Sequence, residues 1–135
     1  MTAAQATIAL QQLPRLGAYN RVRRGHAERI RSAVMETAHF HGLAIAPESD
    51  PFYLRFPVIF HQPQLCAAVH AALQGNGIGA GRMYKAALAD LFPQLAGDFP
   101  SGQVAAGLLT LPTHHFLTHD DITRMATIMR AAVSG

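Results

Sequence analysis

LLTLPTHHFLTHDDITRMATIMRAAV, residues 108–133, changes its periodicity halfway along. Leu108–Leu111 is a short apolar run closed by Pro112, which reads as a strand. Thr118-His119-Asp120-Asp121 then has the form of a helix N-cap with acids in the first turn. Ile122, Met125, Met129 and Val133 continue it at three-to-four spacing, which predicts an amphipathic helix. A strand followed directly by a capped helix points to a small sheet layered against helices rather than to a bundle.

The same pattern recurs upstream. Phe52–Phe60 is rich in aromatic and β-branched residues and reads as a strand, with Pro57 arguing for an edge position or a bulge. Pro63–Gln74 has helical spacing through Leu65, Val69 and Leu73, and Gly75-Asn76-Gly77 stops it. Ile78–Tyr84 reads as another strand, Lys85–Leu91 as a loose turn or short helix, and Ser101–Ala106 as a helix after the breaks at Phe92-Pro93 and Phe99-Pro100. Thr2–Phe40 reads as one helix, kinked near Leu13 by Pro14 and Gly17, with His41-Gly42 as its stop and Ala46–Pro51 as a turn-rich connection. The expected class is α+β, with a three-stranded antiparallel sheet of Phe52–Phe60, Ile78–Tyr84 and Leu108–Leu111. Residues 1–40 form a long helical arm and 41–135 a small α+β unit, together one domain.

Composition narrows the function. Half of the 135 residues are apolar and 14% are charged, a balance that favours a packed core over disorder. No apolar run reaches the roughly 18–20 residues that span a bilayer, and Thr2–Ala9 lacks the charged-then-apolar plan of a signal peptide, so no membrane partner and a cytoplasmic location are expected. The single Cys66 sits among Leu65, Ala67, Ala68 and Val69, the setting of a buried packing residue. His114 and His115 are adjacent and have no Asp, Glu or Cys at a ligand spacing, so no metal site is expected. Gly75–Gly81 is glycine-rich, but it ends a helix and enters a strand, the reverse of a dinucleotide-binding turn.

Three segments, in order, resemble the closing third of the DegT/DnrJ/StrS-type sugar aminotransferases, pyridoxal-phosphate enzymes of fold type I. The first is Met1–Ala6 through Gln12-Leu13 to Arg23-Arg24, similar to the long helix that leaves the family's large domain. The second is Leu73–Ala80 leading to Tyr84, similar to a helix end, glycine-isoleucine turn and strand carrying a tyrosine toward the active site. The third is Leu109–His114 with Leu117–Ile122, similar to the Leu-Pro-x-His strand end and capped final helix. Many members have His-Tyr-Pro where this chain has Met83-Tyr84-Lys85, and a further histidine at the position of Leu88.

The resemblance implies a C-terminal small domain that shapes the substrate side of a nucleotide-sugar aminotransferase. Its substrate-facing candidates are Tyr84, Arg82, Lys85 and His114. It sets Met1 at an internal methionine of the family and places the cofactor lysine and the acid at the pyridinium nitrogen upstream. No catalytic or cofactor-binding residue is therefore expected in this chain, which alone should not transaminate. Lys85, the only lysine, stands at the wrong position for the imine role. The implied partners are the large domain, a second copy in a homodimer, and the sugar nucleotide.

Two other readings stand beside this one. Apolar surface left uncovered would suit a non-catalytic homodimerisation module. Ten of the eleven cations are arginine, six of them between Arg15 and Arg31, and with a net charge of +3 they would suit a nucleic-acid surface. Arg21, Arg24 and Arg31 share a helix face with Glu28, which argues for intrahelical pairing instead.

Overall fold

A computed structural model describes residues 2–34, 37–84, 86–95 and 101–134. The chain runs α1 (Ala3–Gln12), a 3-10 turn (Leu13–Arg15), α2 (Leu16–Val34), β1 (Phe40–Gly42), β2 (Arg55–Phe60) and α3 (Pro63–Gly75). It continues through α4 (Leu88–Leu91), a 3-10 turn (Pro93–Leu95), α5 (Ser101–Gly107), β3 (Leu108–Pro112) and α6 (His119–Ser134). The class is α+β, as expected, with one antiparallel three-stranded sheet in the order β1-β2-β3.

Alternation along β2 and β3 creates the core. Phe56, Val58 and Phe60 face inward with Leu109 and Leu111, and α2, α3 and α6 cover that face. Ile30 and Val34 of α2, Val69 and Leu73 of α3, and Met125 and Met129 of α6 are all 0–2% exposed. Cys66 of α3 is buried with them, and burial pushes its thiol up from the ordinary value, against the nearby positive charge of Arg82. Such a thiol is an inert packing group.

The strand membership corrects the sequence reading. Helix α2 ends at Val34 rather than Phe40, and Phe40–Gly42 is the third strand, paired to Phe60, Ile59 and Val58. Three residues are too few to show a period. Ile78–Tyr84 is no strand: its one backbone pairing with the sheet is the bridge between Gly81 and Thr110. Pro57 marks neither an edge nor a bulge, because β2 is the central strand. Its partner Thr110 directs both backbone groups to Gly81 instead, and β1 stops at Gly42 opposite Val58, one residue short of Pro57. The missing N–H therefore removes no ladder bond.

Glycine 77 ends α3 by a Schellman closure. Its φ is +76°, its N–H bonds Gln74 O at 3.0 Å, and Ile78 N–H bonds Leu73 O at 2.9 Å. A different constraint acts at Gly107, where α5 meets β3: a Cβ there would overlap the backbone carbonyl of Phe60, which cannot swing aside. Tyr53 holds a left-handed φ of +46°, unusual for a tyrosine. Thr113 Oγ1 donates to its carbonyl at 2.6 Å, and Arg31 donates to its hydroxyl at 3.1 Å. The buried His26 of α2 lies with Nδ1 3.3 Å from Thr113 O, so the helical arm, the start of β2 and the end of β3 meet at Thr113.

Most arginines act as struts. Arg24 pairs with Asp50 at 2.7 Å, Arg31 lies 5.4 Å from the centre of the Phe56 ring, Arg124 bonds Asn76 O at 2.9 Å and Arg130 bonds Ala33 O at 2.9 Å. With Arg23 also bonded to Asn20, three of the six arginines in the basic stretch already have protein partners.

Helix α6 begins with a reciprocal cap: Thr118 N–H bonds Asp121 Oδ2 at 2.9 Å, and Asp121 N–H bonds Thr118 Oγ1 at 3.1 Å. The backbone bond from Thr118, then the one from its hydroxyl, holds the Asp121 carboxyl below the usual carboxylate range. Two predictions follow from these junctions. Gly107→Ala should lower the urea midpoint by the equivalent of about 1–3 kcal/mol, as overpacking does; an unchanged midpoint would mean that the α5–β3 junction is not tight. The depressed Asp121 carboxyl stabilises the fold above the ordinary carboxylate pKa, and that contribution disappears as pH falls through its lower folded value. The stability gap between the native chain and Asp121→Asn should therefore close below about pH 4; a gap independent of pH would show that the charged cap contributes nothing.

Candidate functional site

The segment between α3 and α4 has little strand pairing to hold it, and side chains take over. Gly81 N–H bonds Thr110 O at 2.9 Å and Thr110 N–H bonds Gly81 O at 2.8 Å, the one backbone bridge. Around it, three successive carbonyls each accept from a different side chain. Arg55 Nη2 donates to Gly79 O at 2.6 Å, Gln74 Nε2 to Ala80 O at 2.6 Å and Thr110 Oγ1 to Gly81 O at 3.0 Å. Arg55 also bonds Thr110 through Nε to Oγ1 at 2.8 Å and through Nη2 to the carbonyl at 2.9 Å. A Cβ on Gly81 would stand 3.2 Å from Thr110 Oγ1 and 3.5 Å from Arg55 Nη2, so only glycine leaves this node undisturbed.

The node carries the candidate side chains outward. Arg82 is exposed and donates Nη2 to Ala106 O at 3.1 Å, tying the segment to α5. Tyr84 is 55% exposed and lines an apolar cleft of about 400 Å³ with Leu88 and Leu91 of α4, Val104 of α5 and Leu108 of β3. Asp90 Oδ2 accepts from Ala87 N–H at 2.7 Å and fixes the start of α4 along that cleft. Lys85 lies outside the described residues.

His114 is exposed in a second cleft, of about 200 Å³, with Gly79, Pro112, Asp121 and Arg124. Because Gly81 and Thr110 run antiparallel, Tyr84 lies three residues beyond the bridge in one direction and His114 four residues beyond it in the other. The fold thus groups Tyr84 with Arg82 and sets His114 at the opposite end of the pairing. The neighbouring His115 stacks on Tyr19 of α2 with ring centres 4.5 Å apart, a packing role. Among the described residues no group of three His, Cys, Asp or Glu side chains is placed to hold a metal ion.

The glycine-rich stretch has little left to offer a phosphate. The amides of Gly77, Ile78, Ala80 and Gly81 all donate to backbone carbonyls within the chain. Of the residues that shape the segment, Gln74 and Thr110 lie within the Leu73–Ala80 and Leu109–His114 stretches of the resemblance without being candidates there, and Arg55 lies outside all three; its one signal in the sequence is a lone arginine inside the otherwise apolar run Phe52–Phe60.

Solved structures share this fold. The aminotransferase TlmJ from Streptoalloteichus hindustanus superposes with a TM-score of 0.78 at 24% identity, over 96% of this chain and 36% of its own. DesV from S. venezuelae, solved with a ketimine intermediate, gives 0.77 at 22% identity over 94% of this chain and 35% of its own. Helicobacter pylori PseC, an aminotransferase involved in the biosynthesis of pseudoaminic acid, gives 0.74 at 18% identity over 96% of this chain and 37% of its own. At these identities the likeness is one of fold, and this chain spans just over a third of each of those proteins. None of the curated proteins matches it. Residues 1–130 match the model of the DegT/DnrJ/EryC1/StrS aminotransferase family, and the chain belongs to that family.

Proposed function

We propose that this chain is the small, substrate-side domain of a nucleotide-sugar aminotransferase, with α1 and α2 (Ala3–Gln12 and Leu16–Val34) as the helical arm that joins it to a large domain. The observation that carries the reading is the family match over residues 1–130, together with coverage of just over a third of the solved relatives. The arm supports it: α1 buries no residue, and Ile8, Leu10, Leu13 and Leu16 are exposed by 45–68%. Such a row of apolar side chains suits a covered surface. A second copy of this chain could cover it as well, which is the homodimer reading.

Pyridoxal phosphate is the family's cofactor, and the described residues do not fit its seat. The amides of Gly77, Ile78, Ala80 and Gly81 are engaged, the segment enters no helix N-terminus, and the sequence holds one lysine, Lys85. The seat and its lysine are therefore assigned to the large domain, and no chemical step is assigned to this chain.

What this chain contributes is recognition. Tyr84 presents a phenol that can donate to or accept from a sugar hydroxyl at the mouth of the apolar cleft. Arg82 keeps N–H groups beyond its bond to Ala106, and with Lys85 it offers cations to a diphosphate. His114 would reach the substrate from the far end of the Gly81–Thr110 pairing.

Steady-state kinetics of the chain joined to a lysine-bearing large domain test these roles, with glutamate as amino donor and a keto-sugar nucleotide as acceptor. Tyr84→Ala and Arg82→Ala should raise KM for the sugar nucleotide several-fold, more than they alter cofactor loading. His114→Ala, from its separate cleft, tests the fourth position independently. Changes within about twofold, under roughly 0.5 kcal/mol, at all three positions would overturn the assignment.

A further inference from the structure

We infer that Arg55 is the positioning residue of the Gly79–Tyr84 segment, holding the single Gly81–Thr110 bridge in the conformation from which Arg82 and Tyr84 project. The inference deepens the proposed recognition role of Tyr84 and rests on it.

Arg55 opens β2 on the face of the sheet away from the core. The core packs without it, because Phe56, Val58 and Phe60 supply the inward side of this strand. Its guanidinium is partly buried and makes three bonds, all to neutral oxygens: Gly79 O, Thr110 O and Thr110 Oγ1. Among the described residues no carboxylate lies within ion-pairing distance of it. Burial pushes its pKa down from the ordinary arginine value, and arginine remains charged. A partly buried cation without a counter-ion is a poor device for stability, whereas its geometry is suited to fixing backbone. One planar fork reaches β3 and the turn after α3 together, which an ammonium on a flexible stem cannot reproduce.

What it fixes needs fixing. Ile78–Tyr84 has one bridge to the sheet, and a lone bridge is among the first pairings to open. Thr110 Oγ1 accepts from Arg55 Nε while donating to Gly81 O, so the guanidinium also sets the direction of the Thr110 hydroxyl. Loss of Arg55 releases Gly79 directly and Gly81 through Thr110, at the base of the segment that carries Arg82 and Tyr84.

Amide hydrogen exchange in the 135-residue chain separates positioning from general stability. Arg55→Ala and Arg55→Lys should both speed exchange at Gly81 by about tenfold, with Val58 and Leu109 in the β2–β3 ladder unchanged within about twofold. Equal acceleration at all three amides would show a purely structural role, and no change at Gly81 would show no role; either overturns the inference. If Arg55→Ala does not fold, Arg55→Lys carries the same comparison. In the enzyme joined to its large domain, Arg55→Ala should raise KM for the sugar nucleotide with kcat little changed, and the double variant with Tyr84→Ala should add nothing further. Additive effects would overturn it. If Tyr84→Ala leaves KM unmoved, the recognition role of Tyr84 fails, while exchange at Gly81 still decides whether Arg55 holds the segment.

Discussion

The antiparallel pairing of Arg55–Phe60 with Leu108–Pro112 is the constraint from which the remaining structure follows. Its register places Phe56 opposite Leu111 and Val58 opposite Leu109, so one face of the ribbon becomes a continuous apolar surface. A slip of β2 by one residue would turn Phe56, Val58 and Phe60 away from Leu109 and Leu111 and bring Arg55 to the core face. Helices α2, α3 and α6 pack where the register puts the apolar face. The same register leaves Arg55 and Thr110 together on the other face, where they hold the turn after α3. Packing and site geometry are thus two consequences of one pairing.

Sequence patterns revealed what rests on periodicity or on local backbone chemistry. The Thr118–Asp121 cap, the Gly77 stop of α3 and the two long strands each have a local cause, and two of the three segments of the family resemblance contain the Gly77 stop, most of β3 and the cap. The third strand was not legible, because Phe40–Gly42 is short and its pairing is decided by Phe60, some twenty residues away. Ile78–Tyr84 has the apolar and aromatic character of a strand, yet side chains hold its carbonyls in place of a ladder. Distant side-chain bonds leave no trace in periodicity. For the same reason Arg55, Gln74 and Thr110 were invisible as supports of the candidate segment, while Tyr84 and Arg82 could be named as candidates from the sequence. The separation of His114 from Tyr84 is a product of strand direction and could not be read from spacing.

The arginine content has a similar explanation. A basic stretch suggests an anionic polymer, but Arg23, Arg24 and Arg31 bond Asn20, Asp50 and Tyr53, and Arg55, Arg82, Arg124 and Arg130 each hold a backbone carbonyl. Guanidinium groups here tie neighbouring elements and loops of the chain to one another. Within the helical arm, α1 and the 3-10 turn after it bury no side chain. The ten-residue α1 has a reciprocal Thr2–Gln5 cap, and an isolated helix of that length is marginal in water. In a larger aminotransferase the exposed apolar residues from Ile8 to Leu16 would have a partner.

Amide hydrogen exchange along Ala3–Gln12, measured for the chain alone and for the chain joined to a family large domain, tests most directly whether this is one part of a larger enzyme. The account predicts fast exchange in the first case and core-like protection in the second, with β2, β3 and α6 protected alike in both. Equal exchange of α1 in the two states would contradict the claim that the arm is the seat of the remaining protein.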